Sequence, residues 1–280
     1  MKITETTPLQ LLSEKKEIRG ELGPMLWNSF GTIAILLKEI TAVYRILSSP
    51  NIPDQVLNRV CNALAILQSV AVHPDTRRHF IKANMPQYLY PFLSTLNKEK
   101  PQEYLRISSL GVIGSLAKSE DVEVIHFLIE TQVFPHCLRC MEIGSAISKA
   151  VATLIVQKIL MSDDGMKYCC TLADRFFVIC CSLRQMVDTI SEEPSSKQLL
   201  KYIVRCYLRL SENPRALDGL ICCLPPKLTD ASIINLLRDD RTAMGWLNQL
   251  LYNISTLHPK HRNLSRFARP LMRTETNGKH

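Results

Sequence analysis

Apolar residues recur along this chain at intervals of three and four. Val60, Ala63, Leu64 and Leu67 fall at i, i+3, i+4 and i+7, and Ile203, Val204, Tyr207 and Leu208 form a second such stripe. Stripes of this period are the buried faces of amphipathic helices. The pattern predicts helices near residues 31–47, 55–72, 75–83, 87–96, 103–118, 121–131, 134–142, 145–161, 172–190, 195–211, 215–223 and 240–256. Pro50 and Pro53 make residues 48–53 a loop, and residues 191–196 read as another. No β-branched runs are separated by Asn-Gly or Gly-Gly turns, so the fold class is all-α.

One junction repeats along the chain. An apolar run ends in a polar, acid-containing turn and a short amphipathic run follows, in SVAVHPDTRRHF at His73, SLAKSEDVEVIHF at Ser119, ILMSDDGMKYCC at Ser162 and RLSENPRALDGL at Ser211. The spacings are 46, 43 and 49 residues, against about 40 to 47 for armadillo and HEAT units. Ser, Asp and Asn at such turns accept from the free N–H groups of a new helix, and Pro74 and Pro214 suit a first turn that needs no donor. Phe80 and Phe127, then Pro86 and Pro135, recur 47 and 49 residues apart. A short second helix therefore breaks at proline before a longer third begins, and three helices per unit favour armadillo over HEAT. The expected architecture is an armadillo-repeat, right-handed superhelical solenoid over residues 21–257. A partly disordered lead, 1–20, would precede it and a basic disordered tail, 258–280, would follow.

Composition narrows the function classes. At 280 residues and 46% hydrophobic the chain can bury a large core, which excludes a disordered protein. The net charge of +8 suggests nucleic acid until it is located: His258 to His280 hold six Lys and Arg against Glu275 alone, leaving about +3 for the rest. No uninterrupted apolar run reaches the roughly 18 to 20 residues of a bilayer span, so a soluble chain with no membrane partner is expected. The start, MKITETTPLQ, has no apolar segment of a secretory signal, so the ten cysteines are expected to be reduced and intracellular.

Candidate chemistry is sparse. His136, Cys137 and Cys140 stand together as HCLRC, but a structural zinc needs four ligands and no second CxxC follows. The doublets Cys169-Cys170, Cys180-Cys181 and Cys222-Cys223 read as small buried apolar residues, with a redox role as the lesser alternative. Asp163-Asp164 and Asp239-Asp240 sit at turns where capping accounts for them. No GxSxG, GxxxxGK[ST] or HExxH occurs, so no catalytic residue, metal site or cofactor is expected. Gly111 and Gly114 lie inside a helical period, where small residues let another helix or a bound peptide approach.

Two binding readings remain. A helical solenoid presents an extended groove lined by successive third helices, suited to peptides and helices of other proteins. The alternative is weak, salt-sensitive binding of RNA or single-stranded DNA. Lys197, Lys201, Arg205 and Arg209 share one helical ridge, and Arg77, Arg78, Arg238 and Arg241 add to the basic surface. A solvated charged face explains the same ridge, and 6% aromatic content offers few stacking platforms.

Several strings carry a resemblance. MLWNSFGTIA from Met25, NRVCNALAILQSVAVHPDTR from Asn58, LYPFL from Leu89, EYLRISSLGVIGSL from Glu103, KAVATLIVQKIL from Lys149 and RCYLRLSENPRA from Arg205 resemble, in order, the "required for cell differentiation" family. That family is the armadillo-repeat subunit of the Ccr/Not deadenylase complex. The resemblance implies a non-catalytic adaptor, cytoplasmic (in P-bodies) and nuclear, that docks on the Not scaffold subunit and recruits regulators for mRNA decay and translational repression. Scaffold docking would fall on Asn28, Phe30, Ala34 and Thr41, with Phe30 and Ala34 four apart and facing one partner helix. Asn28 and Thr41 replace the family's usual His and aliphatic residue. A concave groove for short amphipathic helices of RNA-binding proteins would include Tyr104, Gly111 and Val151. Pockets for tryptophan-containing motifs of silencing proteins would match Ala173, Arg175, Arg215 and Gly219, with Ala173 in place of a tyrosine and Gly219 enlarging the space. The family carries roughly one more helix ahead of Leu11, so a poorly capped N-terminal repeat is expected. Assembly as a homodimer stays open.

Overall fold

The computed structural model describes residues 19–257 except 192, 194 and 195. The expected lead, but for its last two residues, and the whole basic tail lie outside the described residues. Regular structure among the described residues is helical throughout. The α-helices are α1 (Arg19–Asn28), α2 (Thr32–Ala42), α3 (Asp54–Val72), α4 (Pro74–Lys82), α5 (Tyr90–Ser94), α6 (Lys100–Ala117), α7 (Val122–Glu130), α8 (Val133–Ile143), α9 (Ala146–Met161), α10 (Asp163–Thr171), α11 (Ala173–Thr189), α12 (Lys197–Ser211), α13 (Pro214–Cys223), α14 (Ala231–Leu237) and α15 (Arg241–Leu257). Short 3-10 turns occupy Val43–Ile46, Met85–Leu89 and Pro226–Thr229.

All four repeated junctions start a helix with a side-chain cap, three of them through the expected Asp, Ser or Asn and the first through a histidine. His73 Nδ1 accepts from the N–H of Asp75 at 3.2 Å to open α4, and Asp121 Oδ1 accepts from Glu123 at 2.9 Å to open α7. Ser162 Oγ accepts from Gly165 at 2.9 Å for α10, and Asn213 Oδ1 accepts from Arg215 at 3.0 Å and Ala216 at 3.3 Å for α13. Each such bond satisfies a donor that the first helical turn leaves free, worth about 1 kcal/mol. Asn84 and Gln132 then sit at matching positions in the left-handed region, φ 54° and 57°, and turn the chain from the short helix into the next.

The elements depart from the predicted set in four places. The helix expected over 31–47 begins after Gly31, whose φ of 76° only glycine adopts freely, and gives way at Val43 to a 3-10 turn. The helix expected over 87–96 is a 3-10 turn followed by the five-residue α5, because Pro86 and Pro91 each remove a donor from the ladder. Neither α1 nor α14 was visible as a period. Pro24 and two glycines interrupt α1, and α14 is only seven residues long. Leu22 and Leu26 of α1 are buried and α1 packs on α3, while the position ahead of Leu11, where a further helix was expected to be missing, lies outside the described residues.

The chain divides into two compact units between Ile159 and Leu160, inside α9. In the first, α3 packs against α1, α2 and α6, and α5 packs against α6 and α8. Leu64, Leu67 and Val70 of α3 and Leu105, Val112 and Ile113 of α6 are fully buried. In the second, α12 packs against α13 and α15, and α11 packs against α10 and α13. Tyr207 is completely enclosed there, its hydroxyl donating to the Cys180 carbonyl at 3.2 Å.

Three polar side chains at the start of α6 lock the first unit. The fully buried Gln102 donates through Nε2 to the carbonyls of Leu47 at 3.1 Å and Ser49 at 2.6 Å. Arg106, also fully buried, donates to the carbonyls of Thr95 at 3.1 Å and Asn97 at 2.9 Å and pairs with Glu103. Glu103 Oε1 in turn accepts from the Ser145 N–H at 2.9 Å and Ser148 Oγ at 2.6 Å. Burial pushes the Glu103 carboxyl up, but the Ser145 and Ser148 hydrogen bonds and the Arg106 charge together hold it below its ordinary value. A lowered folded pKa means that stability from Glu103 is complete above the unfolded value of about 4.3 and is lost as pH falls through the folded value. Urea titrations from pH 7 to pH 3 should therefore show an acid-side loss of stability that is smaller in Glu103→Gln. Arg106→Ala, which takes the countercharge from Glu103 and the donor from two loop carbonyls, should lower the unfolding free energy by about 3 to 5 kcal/mol in the same assay at pH 7.

Candidate functional site

The residues singled out in the sequence fall on four surfaces, two in each unit. Asn28 ends α1, and Phe30 stands in the turn that Gly31 makes before α2. Phe30 is fully exposed, and Met25 at 63%, Ile35 at 60% and Ala34 are exposed as well. Phe30 and Ala34 are thus not on one helix, as their spacing had suggested, because the left-handed Gly31 separates them. Thr41 lies on α2 with its hydroxyl donating back to the Leu37 carbonyl at 2.8 Å. Met25 and Ile35 escaped the sequence reading. Exposed apolar residues carry no periodic signature when the helix bearing them is broken.

The second surface belongs to α6 and α9. Tyr104 is 52% exposed, Gly111 follows two helical turns later, and Val151 is half-buried on α9. The two glycines of α6 have separate tasks. A Cβ at Gly114 would come 3.1 Å from Val151 Cγ1, so Gly114 is what lets α9 approach α6. A Cβ at Gly111 would meet only Gln68 Oε1, at an ordinary 3.6 Å. Gly111 therefore keeps a surface low without serving the packing of the helices. Gln68 donates to Ser115 Oγ at 2.6 Å beside it. Ile147, 58% exposed and one turn before Val151, adds an apolar side chain that the sequence reading did not include.

In the second unit the expected tryptophan pocket is differently built. The Arg175 guanidinium lies 3.6 Å above the Tyr168 ring and donates to the Tyr168 carbonyl at 2.6 Å. The stacking partner foreseen for an incoming indole is thus already present within the chain. Gly219 does not enlarge the space either: a Cβ there would be 2.6 Å from Phe176 Cε1, so the Phe176 ring fills it. Ala173 and Arg215 are exposed. Leu172, just before α11, and Phe177 and Val178 on it are apolar and between 42% and 53% exposed.

The basic ridge of α12 is internally occupied. Lys197 faces Asp239 at 4.0 Å and Lys201 pairs with Asp240 at 2.8 Å. The Lys201 hydrogen bond, first, and the Ala243 N–H hold the Asp240 carboxyl below its usual range, while Asp240 caps α15. Arg205 lies 5.2 Å from the Trp246 ring centre. Arg209 donates to the Leu160 carbonyl at 3.2 Å, Asp163 at 2.8 Å and Glu212 at 2.6 Å. Arg77 and Arg78 likewise face Asp121 at 3.8 Å and Glu123 at 3.0 Å. Phosphates would have to compete with carboxylates already in place.

The HCLRC string separates its ligands. Cys137 and Cys140 are fully buried and burial pushes both thiols up, Cys140 to about 12. His136 faces the other way, 2.9 Å from Ser94 Oγ and stacked 4.6 Å from the Tyr90 ring, in a cleft of about 560 Å³ with Gln87, Glu130 and Gln132. Among the described residues no three His, Cys, Asp or Glu stand where they could hold a metal ion. No single described helix is long and apolar enough to cross a membrane.

This arrangement of capped short helices alternating with long ones is that of an armadillo-repeat protein. Solved structures agree on the fold. An engineered protein superposes with a TM-score of 0.57 at 14% identity, covering 89% of this chain and 99% of the other. A designed armadillo repeat protein in complex with a (KR)4 peptide gives 0.52 at 13% identity, covering 90% and 100%. The model of the cell differentiation family, Rcd1-like, matches residues 2–254, and the chain belongs to that family. It is 49% identical over 244 residues to the cell differentiation protein rcd1 of Schizosaccharomyces pombe, covering 87% of this chain and 86% of that one. To the protein CAF40 of Saccharomyces cerevisiae it is 43% identical over 244 residues, covering 87% of this chain and 65% of that one.

The glycines offer a direct check on the geometry. Gly219→Ala and Gly114→Val should each destabilise the chain by about 1 to 3 kcal/mol through overpacking. Gly111→Ala should stay within about 0.5 kcal/mol, since its Cβ makes an ordinary contact on a partly open surface. Chemical denaturation of the three variants distinguishes them.

Proposed function

We propose that this chain is a non-catalytic adaptor subunit of the Ccr/Not deadenylase complex, working in mRNA deadenylation, decay and translational repression. Membership of the Rcd1-like family supports this reading, and one structural observation carries its mechanism. Met25, Phe30, Ala34 and Ile35 are all exposed apolar residues within eleven positions of chain that span the α1–α2 turn. Exposed apolar side chains concentrated in this way offer surface that another protein can remove from water. The Not scaffold subunit is the partner assigned to it, with a helix seated over Phe30 and Asn28 and Thr41 at the edge. Burying the Phe30 ring alone is worth about 2 to 3 kcal/mol.

The second docking surface is the face of α6 and α9. Tyr104 offers a ring with a polar tip, Gly111 allows a backbone to come near, and Val151 with Ile147 supplies apolar anchors for a short amphipathic helix of an RNA-binding regulator. Tryptophan-containing motifs are assigned to the exposed apolar side chains of Leu172, Phe177 and Val178, with Ala173, Arg175 and Arg215, rather than to the space at Gly219 that Phe176 fills. An adaptor of deadenylation would work in the cytoplasm, including P-bodies, and in the nucleus.

Calorimetry of the full chain with the helical segment of the scaffold, at 50 and 200 mM salt, tests the reading. Tight binding that barely changes with salt is expected, and Phe30→Asp should weaken it by at least about tenfold. Val151→Glu should leave scaffold binding intact while costing a regulator helix on the order of 2 kcal/mol or more, because the carboxylate loses hydration without gaining a partner. No scaffold binding, together with RNA binding that falls steeply with salt, would overturn the adaptor reading in favour of a nucleic-acid-binding protein.

A further inference from the structure

The cleft of about 560 Å³ at His136 lies where α5 and α8 pack within the first unit, and Glu130 and Gln132 of the α7–α8 turn join its lining. Its proton positions follow from its donors. Ser94 Oγ is 2.9 Å from the Tyr90 carbonyl, which only accepts, and 2.9 Å from His136 Nδ1. A serine hydroxyl has one proton, so both contacts are hydrogen bonds only when that proton goes to the carbonyl and the imidazole Nδ1–H donates to Ser94. A neutral imidazole carries one N–H, and Nε2 is left with its lone pair. Among the described residues no donor is bonded to Nε2, and the ring is held against Tyr90 at 4.6 Å. Thr131 Oγ1 donates to the Phe127 carbonyl at 2.8 Å, so the Tyr90 hydroxyl, 2.6 Å from Thr131 Oγ1, is the donor there and its proton too is taken. The Glu130 carboxylate faces His126 at 3.5 Å, a pair that is ionic only when His126 is protonated. His136, Tyr90 and Glu130 thus offer acceptors and negative charge, and a ligand that fits them brings N–H donors and positive charge.

We propose that this cleft receives an arginine side chain of a partner polypeptide, whose guanidinium donates to His136 Nε2 and faces the Glu130 carboxylate. A guanidinium carries five N–H donors in a rigid plane and no acceptor, and it gives up its hydration more readily than an ammonium. Gln87 and Gln132 can turn their amide oxygens toward the remaining donors. A proton on Nε2 competes with the arginine for the same lone pair. The charged and titratable groups around the ring are Tyr90 from α5, Glu130 from α7 and Arg139 from its own helix. Burial, and then the Arg139 charge, holds His136 below its ordinary value, so the site is open at neutral pH and closes in acid. Protonated His126 acts in the same direction by pairing with Glu130. The site uses none of the residues assigned to the docking surfaces and stands independently of the adaptor reading.

Long-range ¹H–¹⁵N spectra of the full chain read the tautomer of each imidazole, and His136→Gln identifies the His136 signals by their absence. Ser94→Ala, which should move the same signals toward the Nε2–H form, supplies the assignment should His136→Gln lose its helical circular dichroism. At pH 7 His136 should be the Nδ1–H tautomer. Titration with N-acetyl-arginine-N-methylamide should move its signals saturably in the millimolar range, and the equally blocked citrulline, which lacks the charge, should leave them in place. Glu130→Gln should weaken the arginine titration by up to about fivefold, the effect of one exposed ion pair. Affinity should be constant above about pH 6.5 and fall by up to about tenfold per pH unit below the lowered His136 value. An Nε2–H tautomer, an equal response to blocked citrulline or blocked lysine, or an affinity that holds in acid would overturn the proposal. Tighter binding of free arginine than of the blocked residue would overturn the polypeptide as its source.

Discussion

Stacked helices bury apolar faces whose attraction has no direction, so something else must set the register between one repeat and the next. In the first unit the buried side chains at the start of α6 do this. Gln102 holds the loop at Leu47 and Ser49, Arg106 holds the loop at Thr95 and Asn97, and Glu103 holds the first turn of α9. A guanidinium this deep in the core is tolerated only because a carboxylate and two carbonyls meet it. Tyr104 sits among these anchored residues and points outward. The angle at which its ring is offered to a partner is thus set by bonds made behind it.

The second unit uses charge for a related purpose. Arg209 joins the Leu160 carbonyl to Asp163 and Glu212, and Lys201 joins α12 to the Asp240 cap of α15. These are partly exposed pairs, individually worth little in salt water. Their effect on function is larger than on stability, since each pairing removes a cation from the ridge that could have followed a phosphate backbone. The same economy of contacts operates at Arg175, whose stacking surface is taken by Tyr168, and at Gly219, whose open side is taken by Phe176. Residues that resemble a binding pocket in sequence are here partly engaged in holding the unit together.

The division of labour between the two units follows from this. The first presents apolar side chains outward from a framework held by buried hydrogen bonds, at Phe30 and at Tyr104, Ile147 and Val151. The second pairs basic side chains of α12 with carboxylates of its own. Docking by apolar burial suits the former, because the rigid backbone means that little conformational entropy is lost on binding.

Much of the fold was written in local pattern. Helical periods, the 43 to 49 residue recurrence of junctions and the capping residues Asp121, Ser162 and Asn213 all act within a few residues of chain and were legible without coordinates, whereas the His73 ring cap was not. The family was legible too, in strings long enough to be specific. What the sequence left undecided depends on atoms far apart in the chain. Whether Gly111 or Gly114 admits the neighbouring helix is settled by Val151, some forty residues away, and whether Gly219 opens a pocket is settled by Phe176. The carboxylates that occupy the α12 ridge come from Asp163 on one side and Asp239 and Asp240 on the other. Local sequence determines which conformation a segment prefers, because capping and amphipathicity act over one or two turns. Only the tertiary structure decides which side chains remain free for a partner, because that depends on who else has reached them first.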